Sequence, residues 1–289
     1  MILRSLLFVP GDRPERIEKA LLAGADAVIL DLEDSVTAAR KPAAREAVAS
    51  VLARSGRATT IFVRINPLDD EAAALDLDAV AAGRPDGIVL PKAEGARSLA
   101  DLDGRLLALG DGTARILPIA TETPAAMFRL GEYAGVTSRL VGITWGAEDL
   151  PAAIGAATAR ESDGSYTPPY QLARSLTLFA AAAAGVAAIE TVFPDFRDRA
   201  DLFAYASLAA RDGFTGMMAI HPAQIEPIHA AFTPSDEAIE HAHAVVAAFE
   251  ASPGVGALAL DGRMIDAPHL RQARRILSRA APPRRRGSS

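Results

Sequence analysis

Two carboxylates, an arginine and a lysine stand where short apolar runs of this sequence end, and those are the residue types that chemistry needs. Glu122 lies in Thr121-Glu122-Thr123, just past Arg115-Ile116-Leu117-Pro118-Ile119-Ala120, and Asp149 lies in Gly146-Ala147-Glu148-Asp149, just past Leu140-Val141-Gly142-Ile143-Thr144-Trp145. If those runs are neighbouring strands, the two carboxylates converge on one mouth. Magnesium suits such a pair, because it takes near-octahedral oxygen ligation and keeps water or substrate oxygens in the remaining positions. Glu148 is a lesser alternative ligand. The competing reading is a pair of solvated loop acids, with Asp149 capping a helix that starts near Pro151; pattern alone leaves both open. Arg64 ends Thr60-Ile61-Phe62-Val63. A guanidinium at the rim of a core needs an anion, either a substrate carboxylate or an oxyanion that develops in the reaction. A salt bridge to Asp31, Glu33 or Asp34 is the structural alternative, and the two are compatible. Lys92 follows Gly87-Ile88-Val89-Leu90 and is one of three lysines, with Lys19 and Lys41. It suits a Schiff base or a phosphate contact, weighed against an ordinary ion pair.

Other chemistries find less support. His241 and His243 are two apart on a predicted helix and face different ways. His221 reads as a structural group. Ser5, Ser35 and Ser162 have no histidine nearby in a triad-like pattern, and no glycine-rich phosphate loop or dinucleotide fingerprint occurs.

The elements that must position these residues follow from where the runs fall. Eight apolar runs recur, the remaining ones being Ser5-Leu6-Leu7-Phe8-Val9, Ala27-Val28-Ile29-Leu30, Ala187-Ala188-Ile189 and Gly216-Met217-Met218-Ala219-Ile220. Continuous apolar runs are the mark of strands buried on both faces. Alanine-rich segments at 13–22, 41–54, 94–109, 124–133, 170–184 and 198–211 read as helices between them. This α/β alternation predicts a (β/α)8 TIM barrel over 1–222, whose carboxyl-end face carries the chemistry. Residues 155–169 read as an ordered loop on that face. Two helices (222–231 and 235–251), a hairpin (254–266) and a last helix (269–279) form a C-terminal extension over 223–281. The apolar Leu258, Leu260, Met264 and Ile265 of the hairpin predict cover from a neighbouring subunit. Residues 282–289 read as a disordered tail.

Composition narrows the function class. The chain has 289 residues, 50% hydrophobic and 23% charged, with a formal net charge of -6. No basic surface is available for nucleic acid. Cysteine is absent, which excludes disulfides and a thiol nucleophile. No apolar run approaches the ~20 residues that span a bilayer, and the first strand begins almost at once, so a cytoplasmic location is expected.

Several motifs carry a family resemblance. Arg4-Ser5-Leu6-Leu7-Phe8-Val9-Pro10-Gly11, Leu30-Asp31-Leu32-Glu33-Asp34-Ser35-Val36, Arg64-Ile65-Asn66-Pro67 and Leu90-Pro91-Lys92-Ala93-Glu94 resemble the citrate lyase beta-subunit-like proteins of the HpcH/HpaI aldolase superfamily. So do Ile119-Ala120-Thr121-Glu122-Thr123, Trp145-Gly146-Ala147-Glu148-Asp149-Leu150, Ile220-His221-Pro222-Ala223-Gln224 and Asp261-Gly262-Arg263-Met264-Ile265-Asp266. The match runs from residue 4 to about residue 279, in family order. The resemblance implies a TIM barrel in a homotrimer or hexamer. It also implies a magnesium-dependent carbon–carbon lyase that cleaves a malyl-, citramalyl- or citryl-CoA type thioester to acetyl- or propionyl-CoA and a 2-oxo acid. Glu122 and Asp149 match its magnesium ligands, and Arg64 the arginine that faces the 2-oxo acid and thioester oxygen. Asp266 matches an aspartate that a neighbouring subunit delivers as acid/base; its own sequence context reads only as a helix cap before Pro268. Arg13, Arg16 and Lys92 match positions near the coenzyme A phosphates. Glu190 departs from the aspartate frequent in relatives, which leaves the role of the seventh strand open. A malyl-CoA thioesterase and a partner-dependent citrate lyase beta subunit without activity of its own are the rival readings.

Overall fold

The structure, a computed structural model, describes residues 1–280; the expected tail, 282–289, lies outside the described residues. Runs of valine, isoleucine and leucine that cannot leave either face in water must lie inside a covered layer. They do so as β1 (Ser5–Pro10), β2 (Ala27–Asp31), β3 (Thr60–Arg64), β4 (Gly87–Leu90), β5 (Arg115–Pro118), β6 (Gly142–Thr144), β7 (Ala187–Glu190) and β8 (Gly216–Ala219). The order is β5-β4-β3-β2-β1-β8-β7-β6, and neighbours run parallel. Parallel bridges Ile116↔Leu140 and Ile119↔Thr144, with Ala120 N–H donating to the Thr144 carbonyl at 2.9 Å, bring β6 back to β5. The sheet is thus a nearly closed barrel, as expected.

Between the strands lie α1 (Pro14–Leu21), α2 (Lys41–Leu52), α3 (Ala72–Ala81), α4 (Ala96–Ala108), α5 (Pro124–Met127), α6 (Asp149–Ile154), α7 (Pro168–Ala184) and α8 (Arg199–Asp212). Pro14 and Pro168 sit in first turns, where a missing N–H costs nothing. The barrel interior is filled by Leu6, Ile29, Phe62, Val89, Leu117 and Met218, among others. Gly87 makes room for Phe62: a Cβ there would lie 2.3 Å from the Phe62 ring.

Two expectations are refined here. The (β/α)8 alternation implied a helix between β3 and β4 but no segment was singled out for it; α3 fills that place. Its buried face is Ala73, Asp76, Leu77 and Val80, and the acid within it masks the apolar period. Asp76 is buried because Arg45 of α2 pairs with it at 2.7 Å and the Asn66 backbone N–H donates to it at 2.8 Å. The fifth strand, expected to 120, ends at Pro118, although the Ile119 and Ala120 N–H groups still donate to the Leu90 and Thr144 carbonyls.

Leu3–His229 forms one compact unit; Ala230 onward, with Met1–Ile2, forms a second. Helix α9 (Ile225–Phe232) runs across the division. The second unit holds α10 (Asp236–Ala251), the antiparallel hairpin β9 (Ala257–Leu260) and β10 (Arg263–Asp266), and α11 (Ala267–Ala280). Asp261 and Gly262, both at positive φ, make the tight turn that Asp-Gly favours. This unit has its own core of Ala242, Val245, Ile265 and Ala273, with Leu258 and Leu260 packed against it. Leu258, Leu260 and Ile265 of the hairpin thus pack within this unit. The chain's own α10 and α11 offer them an apolar face, and only Met264 stays exposed, at 69%.

Candidate active site

The carboxyl ends of the strands surround a cavity of about 380 Å3 whose lining includes Asp31, Arg64, Glu122, Trp145 and Asp149. The site is built from β2 and β3 first, because Asp31 and Arg64 are register partners at their ends. Arg64 donates through Nε to Asp31 Oδ1 and through Nη2 to Oδ2, each at 2.7 Å. Its guanidinium also lies over the Phe8 ring, 4.9 Å from the centroid. Asp31 further accepts from the backbone N–H groups of Glu33 and Ser35 and from the Ser35 hydroxyl. Burial alone would push the Asp31 carboxyl up, but Arg64 and these donors hold it below the usual aspartate range. Burial likewise disfavours the Arg64 cation, and Asp31 with Glu33 and Asp34 more than restores it. Nη1 lies 2.8 Å from Glu33 Oε2 as an ion pair, yet that oxygen is buried without a hydrogen bond among the described residues. A guanidinium has five N–H donors in a fixed fork; Asp31 takes two of them, Nη1 faces Glu33, and the second Nη2 donor is left for an anion in the cavity.

Glu122, which also lines the cavity and is 4% exposed, accepts the backbone N–H of Lys92 at 2.6 Å. Lys92 reaches that position with a positive φ of 49°, a rare conformation for a non-glycine residue. Its ammonium lies 2.9 Å from Glu33 Oε1 and 3.5 Å from Asp149 Oδ1. Burial disfavours that charge, but the Glu33, Glu122 and Asp149 carboxylates hold the lysine above its usual range. A Schiff base needs a neutral amine, and the surrounding acids favour the cation. Burial, then the neighbouring Asp149 and Glu33 charges, push the Glu122 carboxyl up to about 8. Gly146 packs against it so closely that a Cβ would lie 2.7 Å from Glu122 Cγ, and Thr121 Oγ1 fixes Gly146 by accepting its N–H at 3.1 Å.

No cluster of three or more metal-ligating side chains occurs among the described residues. Two carboxylates beside one lysine are nevertheless a donor set for a hard divalent cation that keeps waters or substrate oxygens elsewhere. The raised Glu122 carboxyl marks buried negative charge that such a cation relieves.

Of the other expected residues, Arg16 lines the cavity, whereas Arg13 is directed to Asp12 at 3.6 Å. Glu148 lines the cavity and precedes α6. Asp266 belongs to the C-terminal unit, where His269 Nδ1 contacts its Oδ1 at 2.6 Å. His269, with backbone N–H help, holds that carboxyl below its usual range. Glu190, left open by sequence, is fully buried and accepts the Trp145 indole N–H at 2.5 Å. Ser5, which sequence left without a histidine, lies 2.7 Å from His229 Nε2. Ser5 is fully buried at the start of β1, away from the mouth, so the contact is structural. Sequence reasoning did not find Trp145 as a cavity wall; its place at the end of an apolar run was the available signal.

A family model described as HpcH/HpaI aldolase/citrate lyase matches residues 4–222 of the chain. Citrate lyase subunit beta of Escherichia coli K12 is 35% identical over 285 residues, covering 96% of this chain and 93% of that protein. A (3S)-malyl-CoA thioesterase of Cereibacter sphaeroides KD131 is also 35% identical over 285 residues, with 96% and 94% covered. The crystal structure of CitE from Mycobacterium tuberculosis in complex with magnesium, acetoacetate and coenzyme A is similar at a TM-score of 0.80 and 38% identity, covering 96% of this chain and 98% of that one.

Proposed function

The chain belongs to the HpcH/HpaI aldolase/citrate lyase family, and from that premise we propose that it is a magnesium-dependent carbon–carbon lyase. Its substrate is a 3-hydroxy-acyl-CoA with a carboxylate on the hydroxyl-bearing carbon, of the malyl-, citramalyl- or citryl-CoA type. The products are acetyl- or propionyl-CoA and a 2-oxo acid. The observation that carries this reading is that Arg64, Glu122 and Asp149 line one cavity. Binding of magnesium with an oxo acid and coenzyme A by the M. tuberculosis relative supports it.

Glu122 and Asp149 would hold magnesium, which supplies a Lewis acid for the carboxylate and hydroxyl oxygens. Gly146 and the Lys92 backbone fix Glu122 in place. In the cleavage direction the hydroxyl loses its proton and the bond to the adjacent carbon breaks. The electron pair then passes into the thioester, which becomes an enolate. Arg64, held by Asp31, offers the guanidinium donor that Asp31 leaves free to that developing oxyanion. A proton must then reach the enolate carbon. Asp266, delivered by a neighbouring subunit of a homotrimer or hexamer, is the group proposed there: held ionised by His269, it takes up a proton equivalent to the one the hydroxyl releases and gives it to the carbon, and the same ionised form takes the proton in the reverse condensation. Arg16 and Arg13 are the cations proposed for the coenzyme A phosphates. Lys92 takes the inner role instead, as the cation that spaces Glu33 from Asp149.

The equal identity to a malyl-CoA thioesterase favours one rival, hydrolysis at the same site. Purified protein with magnesium, screened against malyl-, citramalyl-, methylmalyl- and citryl-CoA, separates them. The lyase releases a 2-oxo acid, whereas a hydrolase releases free thiol and a hydroxy acid. Failure of the isolated chain on every thioester would point to a partner-dependent subunit.

A further inference from the structure

Glu190 is charged and fully buried, lies outside the cavity lining, and is joined to two residues that form it. Its Oε1 accepts the Trp145 indole N–H at 2.5 Å and the Thr191 backbone N–H at 3.0 Å. Its Oε2 accepts from Arg174 Nε of α7 at 2.6 Å. Trp145 and Thr191 directly follow adjacent parallel strands, β6 and β7, and both line the cavity. Arg174 is held in turn by Asp212 at 2.9 Å and lies over the Phe214 ring, 4.7 Å from its centroid. From the other side the Tyr166 ring meets the indole edge-on, with centroids 4.9 Å apart. Tyr166 belongs to the loop between α6 and α7. Arg160 covers that ring at 4.0 Å and donates to its hydroxyl at 2.7 Å.

A buried ion pair is a weak source of stability, because two charges must leave water. One whose free acceptor is spent on a cavity-lining indole has a positional use: the carboxylate fixes which way the ring lies. A ring so fixed is a rigid wall, and a rigid apolar wall discriminates acyl groups by size. We propose that Glu190 is a positioning residue that, through the orientation of Trp145, sets which substituent on the hydroxyl-bearing carbon the cavity accepts. The inference rests on the lyase reading for its substrate class, but the Glu190–Trp145 link does not.

Trp145 is the chain's single tryptophan, so its fluorescence reports on that link alone. The test compares wild type with Glu190→Gln, which leaves Arg174 paired with Asp212. Two readings are taken: acrylamide quenching of Trp145 in ligand-free protein, and kcat/KM for malyl-CoA against citramalyl-CoA, which differ by one methyl group. One methylene in an apolar pocket is worth about 10- to 200-fold in discrimination. Glu190→Gln is therefore expected to lower the ratio by about 10-fold, with quenching raised. In a Trp145→Phe background the same substitution should leave the ratio unchanged, because the residue acts through the indole. Unchanged quenching in both Glu190→Gln and Glu190→Leu, the second of which has no acceptor for the indole N–H, overturns the link, whatever the activity. Raised quenching with an unchanged ratio, or an equal effect in the Trp145→Phe background, overturns the specificity role. If the wild type cleaves neither thioester while quenching still rises in Glu190→Gln, the lyase reading fails and the specificity role with it, but the link stands. If Glu190→Gln does not fold, Trp145→Phe alone decides: it removes only the indole N–H and part of the ring, and a wild-type ratio in it overturns the proposal.

Discussion

Asp31 and Arg64 end adjacent parallel strands in register and meet in a two-pronged ion pair, with both hydrogen bonds at 2.7 Å. The pair orients a guanidinium at the cavity without consuming all of its donors. Lysine keeps the charge but cannot reproduce the fork. Arg64→Lys is expected to lose at least ~10²-fold in kcat/KM, the scale of one lost oxyanion donor, with an unchanged circular dichroism spectrum. A near-native rate would make Arg64 purely structural.

The metal pair makes two separable predictions. Asp149→Asn should lose most magnesium affinity and activity, with partial recovery at high magnesium; full activity in EDTA would sink the metal assignment. Gly146→Ala should act indirectly, because its Cβ falls within 2.7 Å of Glu122 Cγ and 3.0 Å of Oε1. A displaced ligand is expected to weaken magnesium by about 10- to 100-fold, the range for supporting positions around metals. Calorimetric titration with magnesium measures both.

Protonation of Glu122 links pH to stability. In the metal-free protein its carboxyl is raised from 4.5 to about 8, so the folded chain holds a proton that the unfolded chain releases between those values. The contribution is fully present below 4.5 and lost as pH rises through about 8. Metal-free protein should therefore lose urea resistance across that window relative to Glu122→Gln, and magnesium should abolish the difference. Urea midpoints for the two proteins that run parallel with pH would refute the assignment.

The barrel was legible because its strands are unbroken apolar runs, and because polar residues mark their carboxyl ends. Arg64, Glu122 and Asp149 were found in this way. Helix α3 was missed since Asp76 interrupts its apolar face, an acid that only Arg45 and Asn66 from elsewhere in the chain make tolerable. The inward turn of Lys92 depends on a positive φ that no residue type announces. Glu190 and Trp145 lie 45 residues apart, and nothing in either segment signals their hydrogen bond. Asp266 took its role from family resemblance alone.

That role has a test of its own. If a neighbouring chain supplies Asp266, mixing inactive Arg64→Ala with inactive Asp266→Ala should regenerate activity once subunits exchange, which tagged pull-down verifies. Mixed oligomers that stay inactive would place both residues in one chain's chemistry, or remove Asp266 from it.

The fate of one carbon–carbon bond tests the central claim most directly. The thioester that the substrate screen selects, labelled with 13C at its hydroxyl-bearing carbon, is incubated with the protein and magnesium and followed by NMR. The account predicts that the label moves to the carbonyl of a 2-oxo acid while coenzyme A remains esterified as the shortened acyl group. A label that stays in an intact hydroxy acid, with free coenzyme A thiol released, would contradict it.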